Sequence, residues 1–372
     1  MKKTYDVAAY IWPSYTGDEP RSRIFWPEGY GEWETVKNSY SKCDRHVWPR
    51  KPLWGYVNEA DPYVMEMQIN AAADHGVNVF IYDWYWYDNR PFLEQCLDNG
   101  YLKARNNDKV KFYIMWANHA CSMLWDRRQA GLNVKVWDAI TDMPVFRTIA
   151  ERIVSKYFTH PSYYKIDGKP VFSIYLPDKF IKDIGGVEKA KEAMAYMNEL
   201  TVKAGLPGIH WQVIFRPYQN ITTPMDDPTF KGTLMDAINE LHFDSSTPYN
   251  FISGVNANRP YPEVLKDSYI VRERFKKTFN GLYFPNVSLG WDTNPRFPEF
   301  LDNITTECTP ENIKQAFAEA KQYIDEHPEL PAPLITVNSW NEWTESSYLQ
   351  PDDIIGYAYL NAVKEVFLDN ED

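Results

Sequence analysis

Eight times along its 372 residues the chain passes through a short apolar stretch rich in β-branched and aromatic side chains, with longer amphipathic stretches between. The candidate strands are residues 6–12, 78–86, 111–118, 171–176, 210–215, 243–249, 286–292 and 335–340. Several are apolar almost without interruption, as strands covered on both faces of a parallel sheet must be. Helices are expected at 61–75, 187–204, 309–327 and 353–368. The first opens on Asp61-Pro62, a cap followed by proline in the first turn, and closes at Gly76. The alternation predicts a parallel α/β architecture. No glycine-rich phosphate loop follows the first strand, and polar and aromatic residues gather where successive strands end. Both points favour a (β/α)8 TIM barrel with extended βα loops over an open doubly wound sheet, because barrel sites are built on that face. One catalytic domain over 1–372 fits, since such barrels run from ~250 to over 400 residues.

Composition narrows the partners. Hydrophobic residues make up 44% and charged residues 24%, enough for a large core and against disorder. The formal net charge of -12 repels phosphate backbones and anionic lipid, so no nucleic acid partner is expected. No apolar run approaches the ~20 residues that span a bilayer, so no membrane span is expected. The opening MKKTYDVAAYIWP reads as a first strand and lacks the apolar centre of a secretion signal. The expectation is a cytoplasmic protein as the sequence stands, or a periplasmic or secreted one if a leader has been removed. Cys43, Cys96, Cys121 and Cys308 form no metal-binding or disulfide spacing, so no metal and no cofactor is expected. Aromatic residues reach 16%, with 14 Trp and 26 Tyr, which suits a cleft where rings stack on sugar C–H faces.

The last strand carries the chemistry. It runs from Ile335 into Asn341-Glu342-Trp343-Thr344-Glu345. In a continuing strand, carboxylates three residues apart face opposite ways; a turn after Trp340 brings Glu342 and Glu345 to one cleft. Glycoside cleavage needs such a pair, one to protonate the leaving oxygen and one to assist across the anomeric carbon. Neighbouring Trp343 would desolvate one carboxyl and keep it protonated. Asn341 offers an amide at the same level. The second strand ends in Tyr82-Asp83-Trp84-Tyr85-Trp86-Tyr87, where alternation sends some rings inward and others under helices. Asp83, Trp84 and Trp86 are candidate sugar contacts; an acid among rings needs a partner, either substrate hydroxyls or backbone donors. Trp116, Asn118 and His119 end the third strand, and Tyr249 the sixth. Trp291 and Asp292 close the seventh, where Arg296 either binds substrate or pairs with Asp292 to fix a turn. The aromatic and acidic loop from Trp26 to Glu34 is long enough to suggest function.

Together these segments resemble the glycoside hydrolase family 99-like proteins, including those called glycosyltransferase WbsX-like. The resemblance rests on Gly31-Glu32-Trp33, the aromatic end of strand two, Trp116-Ala117-Asn118 and the run from Tyr164 to Phe172. It continues through Gly290 to Arg296, Asn338 to Glu345, and Leu349-Gln350-Pro351. It implies a (β/α)8 barrel and retaining, endo-acting cleavage of α-mannosidic bonds. It further implies that Glu342 assists attack by the sugar's own 2-hydroxyl, giving a 1,2-anhydro sugar, and that Glu345 is the acid and then the base. The chain departs from the family pattern at Thr344, where histidine is common, at Ser346, and at Gln350, where an acid is frequent. The expected partner is an oligosaccharide or polysaccharide. A glycosyltransferase of polysaccharide biosynthesis and a non-catalytic carbohydrate-binding protein are the alternatives; a sugar-nucleotide transferase would normally show a diphosphate site, which no strand end offers.

Overall fold

The computed structural model describes residues 4–132, 134–216 and 221–369. Its inner layer is a parallel sheet of β1 (Asp6–Ile11), β2 (Val79–Tyr87), β3 (Lys111–Trp116), β4 (Lys169–Ile174), β5 (His210–Phe215), β6 (Ser245–Pro248), β7 and β8 (Leu334–Asn338). Consecutive strands from β1 to β6 pair in parallel, and β1 also pairs with β8. Strand β7 comes in two pieces: Leu282–Tyr283 pairs with β6, and Asn286–Ser288 pairs with β8. Between them, Phe284 N donates to Ser246 O at 2.9 Å, and Pro285 O accepts from Thr336 N at 2.9 Å. Both edges of the sheet therefore lie on one short segment, and the sheet closes into a barrel. Pro285 explains the split, since it has no N–H to give to a ladder.

Helices cover the outside: α1 (Pro62–Asp74), α2 (Met143–Ile153), α3 (Pro177–Ile184), α4 (Val187–Lys203), α5 (Leu234–Glu240), α6 (Tyr261–Lys276), α7 (Pro310–Glu326) and α8 (Ala358–Phe367). Three start alike. Asp61, Asp142 and Thr309 accept from Tyr63 N, Val145 N and Asn312 N, and each is followed by a proline in the first turn. Helix α8 begins five residues later than the sequence pattern suggests. The Asp352 carboxylate takes the N–H groups of Ile354 and Ile355 at 2.8 and 2.7 Å, holding that stretch in a turn until Gly356, at φ 58°. Among the described residues no helix is long and apolar enough to cross a membrane.

The barrel interior is unusually polar. Gln212 accepts from Tyr113 and Ser173, and Thr247 meets Thr336 at 2.7 Å. Asn286 donates to Thr336 at 3.0 Å. Each group is satisfied by a side chain of another strand, adjacent or next but one, which is what permits its burial. Period-two alternation sends the alternate residues out under the helices. Trp84 donates to Glu94, itself held by Arg152 of α2, and stacks on Trp86. Trp116 packs on Phe146 of α2 and Phe180 of α3, with ring centroids 6.1 and 6.0 Å away. Trp116→Ala should therefore lower unfolding free energy by about 3–5 kcal/mol in urea denaturation. An unchanged transition would show that the ring is no part of this interface.

Candidate active site

The segment after β8 makes the turn that a paired-carboxylate site needs. Asn341–Glu342 pairs antiparallel with Ser347–Tyr348, and one 3-10 turn, Trp343–Glu345, joins them. Two hydroxyls lock this hairpin: Ser339 Oγ accepts from Glu342 N at 2.8 Å and donates to Ser347 O at 2.7 Å, while Ser347 Oγ donates to Asn338 O at 2.7 Å. Glu342 and Glu345 are 4% and 8% exposed at the C-terminal end of the barrel.

Both converge on Arg296, brought in by the turn Asn294–Arg296 after β7. Its Nη2 donates to Glu342 Oε2 at 3.0 Å, its Nη1 to Glu345 Oε1 at 2.6 Å, and its Nε to Thr344 Oγ1 at 2.8 Å. A third carboxylate, Glu32 Oε1, lies 3.6 Å from Nε and accepts from Thr344 Oγ1 at 3.0 Å. Glu32 also accepts from Trp12 Nε1 and Ser14 Oγ. Gly31 lets it reach this depth: at φ 69°, a Cβ there would lie 1.8 Å from Ser14 O. Gly290 does the same for the β7 loop, where a Cβ would meet Ser346 O at 2.6 Å.

The electrostatics follow from that count. Burial raises the pKa of Glu342 well above the carboxylate range, and the Glu345 charge raises it further, against the pull of Arg296. Burial also raises Glu345, with Arg296 opposing. Interacting acids of this kind titrate as a set, and burial keeps protons on the set to higher pH than on free carboxyls. Among the described residues, buried Glu345 Oε2 finds no hydrogen-bond partner. Glu342 has both oxygens engaged, Oε1 accepting from the Tyr249 hydroxyl at 2.9 Å.

Tyr249 also lies 3.0 Å from Asp83 Oδ2, which joins the inner face of β2 to the pair. Rings wall this space: Tyr10 lies 4.7 Å and Tyr175 5.6 Å from the Tyr249 ring. Tyr85 sets its ring 5.5 Å from Trp12 and 5.5 Å from His119. Trp125, from the segment after β3, packs against Trp12 at 5.1 Å and Tyr85 at 5.8 Å. Burial lowers the pKa of half-buried His119, favouring a neutral imidazole whose Nδ1 meets Ala120 O.

Asp83, Tyr249, Glu342 and Glu345 are thus brought together, with His119 packed on Tyr85 nearby. Other expected contacts lie elsewhere. Trp84, Trp86 and Trp116 face the helix layer, because alternation places them opposite Asp83 and Tyr85. Asn118 spends its amide on Leu176 N and O, and Asn341 on Trp12 N and O and on Glu59. Trp343 donates to Gln350 and stacks on Tyr348 at 3.9 Å. Asp292 accepts from Asn294 and lies 3.4 Å from His46, so Arg296 is not its partner. Trp291 is half-buried beside it. Sequence reasoning marked the loop that carries Glu32 without singling that residue out, and gave no role to Trp12, Tyr10, Tyr85 or Trp125; for Tyr85, its place two residues beyond Asp83 was the available signal. Among the described residues no His, Cys, Asp and Glu cluster is arranged to hold a metal, and Arg296 supplies the cation that the carboxylates need.

Removing that cation tests the arrangement. Arg296→Met leaves buried anions that must take up protons to fold, at a cost of about 3–5 kcal/mol near neutral pH. Carboxyls whose pKa rises on folding bind protons more tightly in the folded state. Their stabilisation is complete below the unfolded value of 4.5 and is lost as pH rises through the folded value. Chemical denaturation should find the deficit shrinking as pH is lowered; a deficit equal at every pH would mean that Arg296 acts by packing alone.

Known proteins place this geometry in context. The solved endo-α-mannosidase of glycoside hydrolase family 99 from Bacteroides thetaiotaomicron superposes with a TM-score of 0.58 at 15% identity, covering 99% of this chain and 98% of that one. A structure described as a glycoside hydrolase-like protein gives 0.62 at 14% identity, covering 98% and 94%. At such identities the likeness establishes the barrel fold. In sequence, the uncharacterized protein WxcX of Xanthomonas campestris pv. campestris is 25% identical over 350 residues. That match takes in 93% of this chain but 47% of WxcX, so the chain spans about half the length of this relative. The profile of the family described as glycosyltransferase WbsX matches residues 7–363. The chain belongs to the glycosyltransferase WbsX family, on a (β/α)8 barrel shared with glycoside hydrolases.

Proposed function

We propose that the chain is a retaining glycoside hydrolase, with Glu342 as base and Glu345 as acid and then base. The observation that carries this reading is the clasp of both glutamates by Arg296 on one turn, with Glu345 Oε2 left without a partner. Burial raises the pKa of Glu342, and the hydrogen bonds from Tyr249 and Arg296 pull the other way, towards the ionised form that a base requires. The free oxygen of Glu345 is where a proton donor would meet a glycosidic oxygen.

The reaction then runs in two displacements. Glu342 takes the proton of the 2-hydroxyl as O2 bonds to C1; the C1–O bond of the leaving sugar breaks and Glu345 protonates that oxygen. Water next attacks C1, giving a proton to Glu345, while the C1–O2 bond opens and Glu342 returns its proton to O2. Two inversions give retention. The fold neighbour makes internal α-mannosidic bonds the first substrate class to try. The family description favours a second reading, in which a sugar hydroxyl replaces water as acceptor.

Product analysis on a panel of α-mannans and other glycans tests the proposal. Glu345→Gln and Glu342→Gln should each cut turnover by ~10²–10⁴-fold, the usual worth of positioned acid–base catalysis. The anomeric proton signal of fresh product should match the configuration cleaved. A near-wild-type rate in either variant removes that role, and release of the opposite anomer rules out retention. Chain extension by the wild type from an activated donor, with no hydrolysis, would favour the transferase.

A further inference from the structure

The Tyr249 hydroxyl lies 3.0 Å from Asp83 Oδ2 and 2.9 Å from Glu342 Oε1, yet a phenol carries one proton. It donates to one carboxyl and must accept from the other, which therefore holds a proton of its own. Were both ionised, a carboxylate oxygen would face phenol lone pairs inside a buried site, a costly contact.

The surroundings decide which carboxyl is neutral. Glu342 has Arg296 Nη2 at 3.0 Å on its other oxygen. Asp83 is 4% exposed, and among the described residues no cation lies within ion-pair distance of it. The groups facing it are Tyr249, Tyr10 and Tyr85 and the carboxyls of Glu342 and Glu345. Its Oδ1 is buried without a hydrogen-bond partner. An unpaired carbonyl oxygen of a neutral acid costs far less there than an unpaired carboxylate oxygen.

We propose that Asp83 is a neutral acid in the resting protein, donating through Oδ2 to the Tyr249 oxygen so that Tyr249 donates to Glu342. One proton is thus fixed on Asp83, and Glu342 is held ionised and oriented. Asp83 is a positioning residue acting through Tyr249. Burial, which raises its pKa well above 3.8 against the Tyr249 hydrogen bond and with the added Glu345 charge, agrees. The kinetic consequence rests on the reading of Glu342 as base; the location of the proton does not.

Infrared spectroscopy on protein labelled with carboxyl-¹³C aspartate separates the two. At neutral pH the unlabelled protein should show a neutral-carboxyl band that moves with the label and disappears in Asp83→Asn. This needs no substrate, so it stands even if no glycan is cleaved. Absence of a label-sensitive band, or a band that survives in Asp83→Asn, overturns the proposal. Should that variant not fold, Tyr249→Phe removes the acceptor and must shift the band; no shift overturns it equally. In turnover, Asp83→Asn keeps a donor facing Tyr249 and should lose less kcat than Asp83→Leu, with the acid limb of the pH profile unmoved. Asp83→Leu should lose about tenfold, the value of one buried hydrogen bond. An Asp83→Asn loss as large as that of Asp83→Leu, or an acid limb moved to lower pH by removal of a charge beside Glu342, would mean that Asp83 is ionised.

Discussion

Everything at the barrel mouth is arranged around the guanidinium of Arg296. Its three carboxylate neighbours come from different parts of the chain: Glu32 from the loop after β1, Glu342 and Glu345 from the hairpin after β8. None is tolerable alone at this depth, because burying an uncompensated anion costs several kcal/mol. Together with a cation they are tolerable, but only in one geometry, since a guanidinium is planar and its donors point in fixed directions. The cluster therefore fixes the relative placement of three loops. Two glycines that permit close backbone approaches, Gly31 and Gly290, sit on the loops that carry Glu32 and Arg296. Net stabilisation is not its evident purpose; a fixed separation of two glutamates is.

Behind that cluster lies a second polar layer whose orientations are set by indoles. Trp340 Nε1 donates to Gln68 and Trp343 Nε1 to Gln350, and an indole N–H can only donate. Both glutamine oxygens are thereby taken, and their amide groups point at Glu59, which also accepts from Asn341. Glu59 has donors but, among the described residues, no cation, and burial raises its pKa to about 7. Asn341 returns the order to the site, because its amide clamps Trp12 N and O and so sets the hairpin against the end of β1. The departure from the family pattern at Gln350 has its reason here: an acid at that place would face Glu59.

The barrel was legible in the sequence because strands buried on both faces leave long apolar runs, and helices opened by Asp-Pro or Thr-Pro announce themselves. The split of β7 was not, since the pairing of Leu282–Tyr283 depends on a neighbour that no local pattern names. Within the site, the Glu342 and Glu345 pair was legible from its place after an apolar strand, and Asp83 from the cost of an acid among rings. Indoles were misread for a simple reason. Composition counts rings but not the face of the strand they occupy, and one step of alternation separates Tyr85 in the chamber from Trp84 and Trp86 under the helices. Arg296 was read as either a substrate contact or the partner of Asp292, four residues away; its approach to the hairpin after β8 leaves no mark in the local sequence.

The charge of the chamber bears on the choice of donor sugar. Arg296 spends Nε, Nη1 and Nη2 on acceptors already present, and three carboxylates surround it. A further acid, Asp83, sits among phenols. A nucleoside diphosphate brings two or more negative charges, which are ordinarily met by free cations, a metal or a row of backbone N–H groups. The cation at this site is already engaged, and a diphosphate would have to displace carboxylates that the fold has committed to it. A neutral glycan brings no charge and meets no such conflict. Even if the acceptor proved to be a sugar hydroxyl instead of water, the same charge balance would favour a glycan donor over a sugar nucleotide.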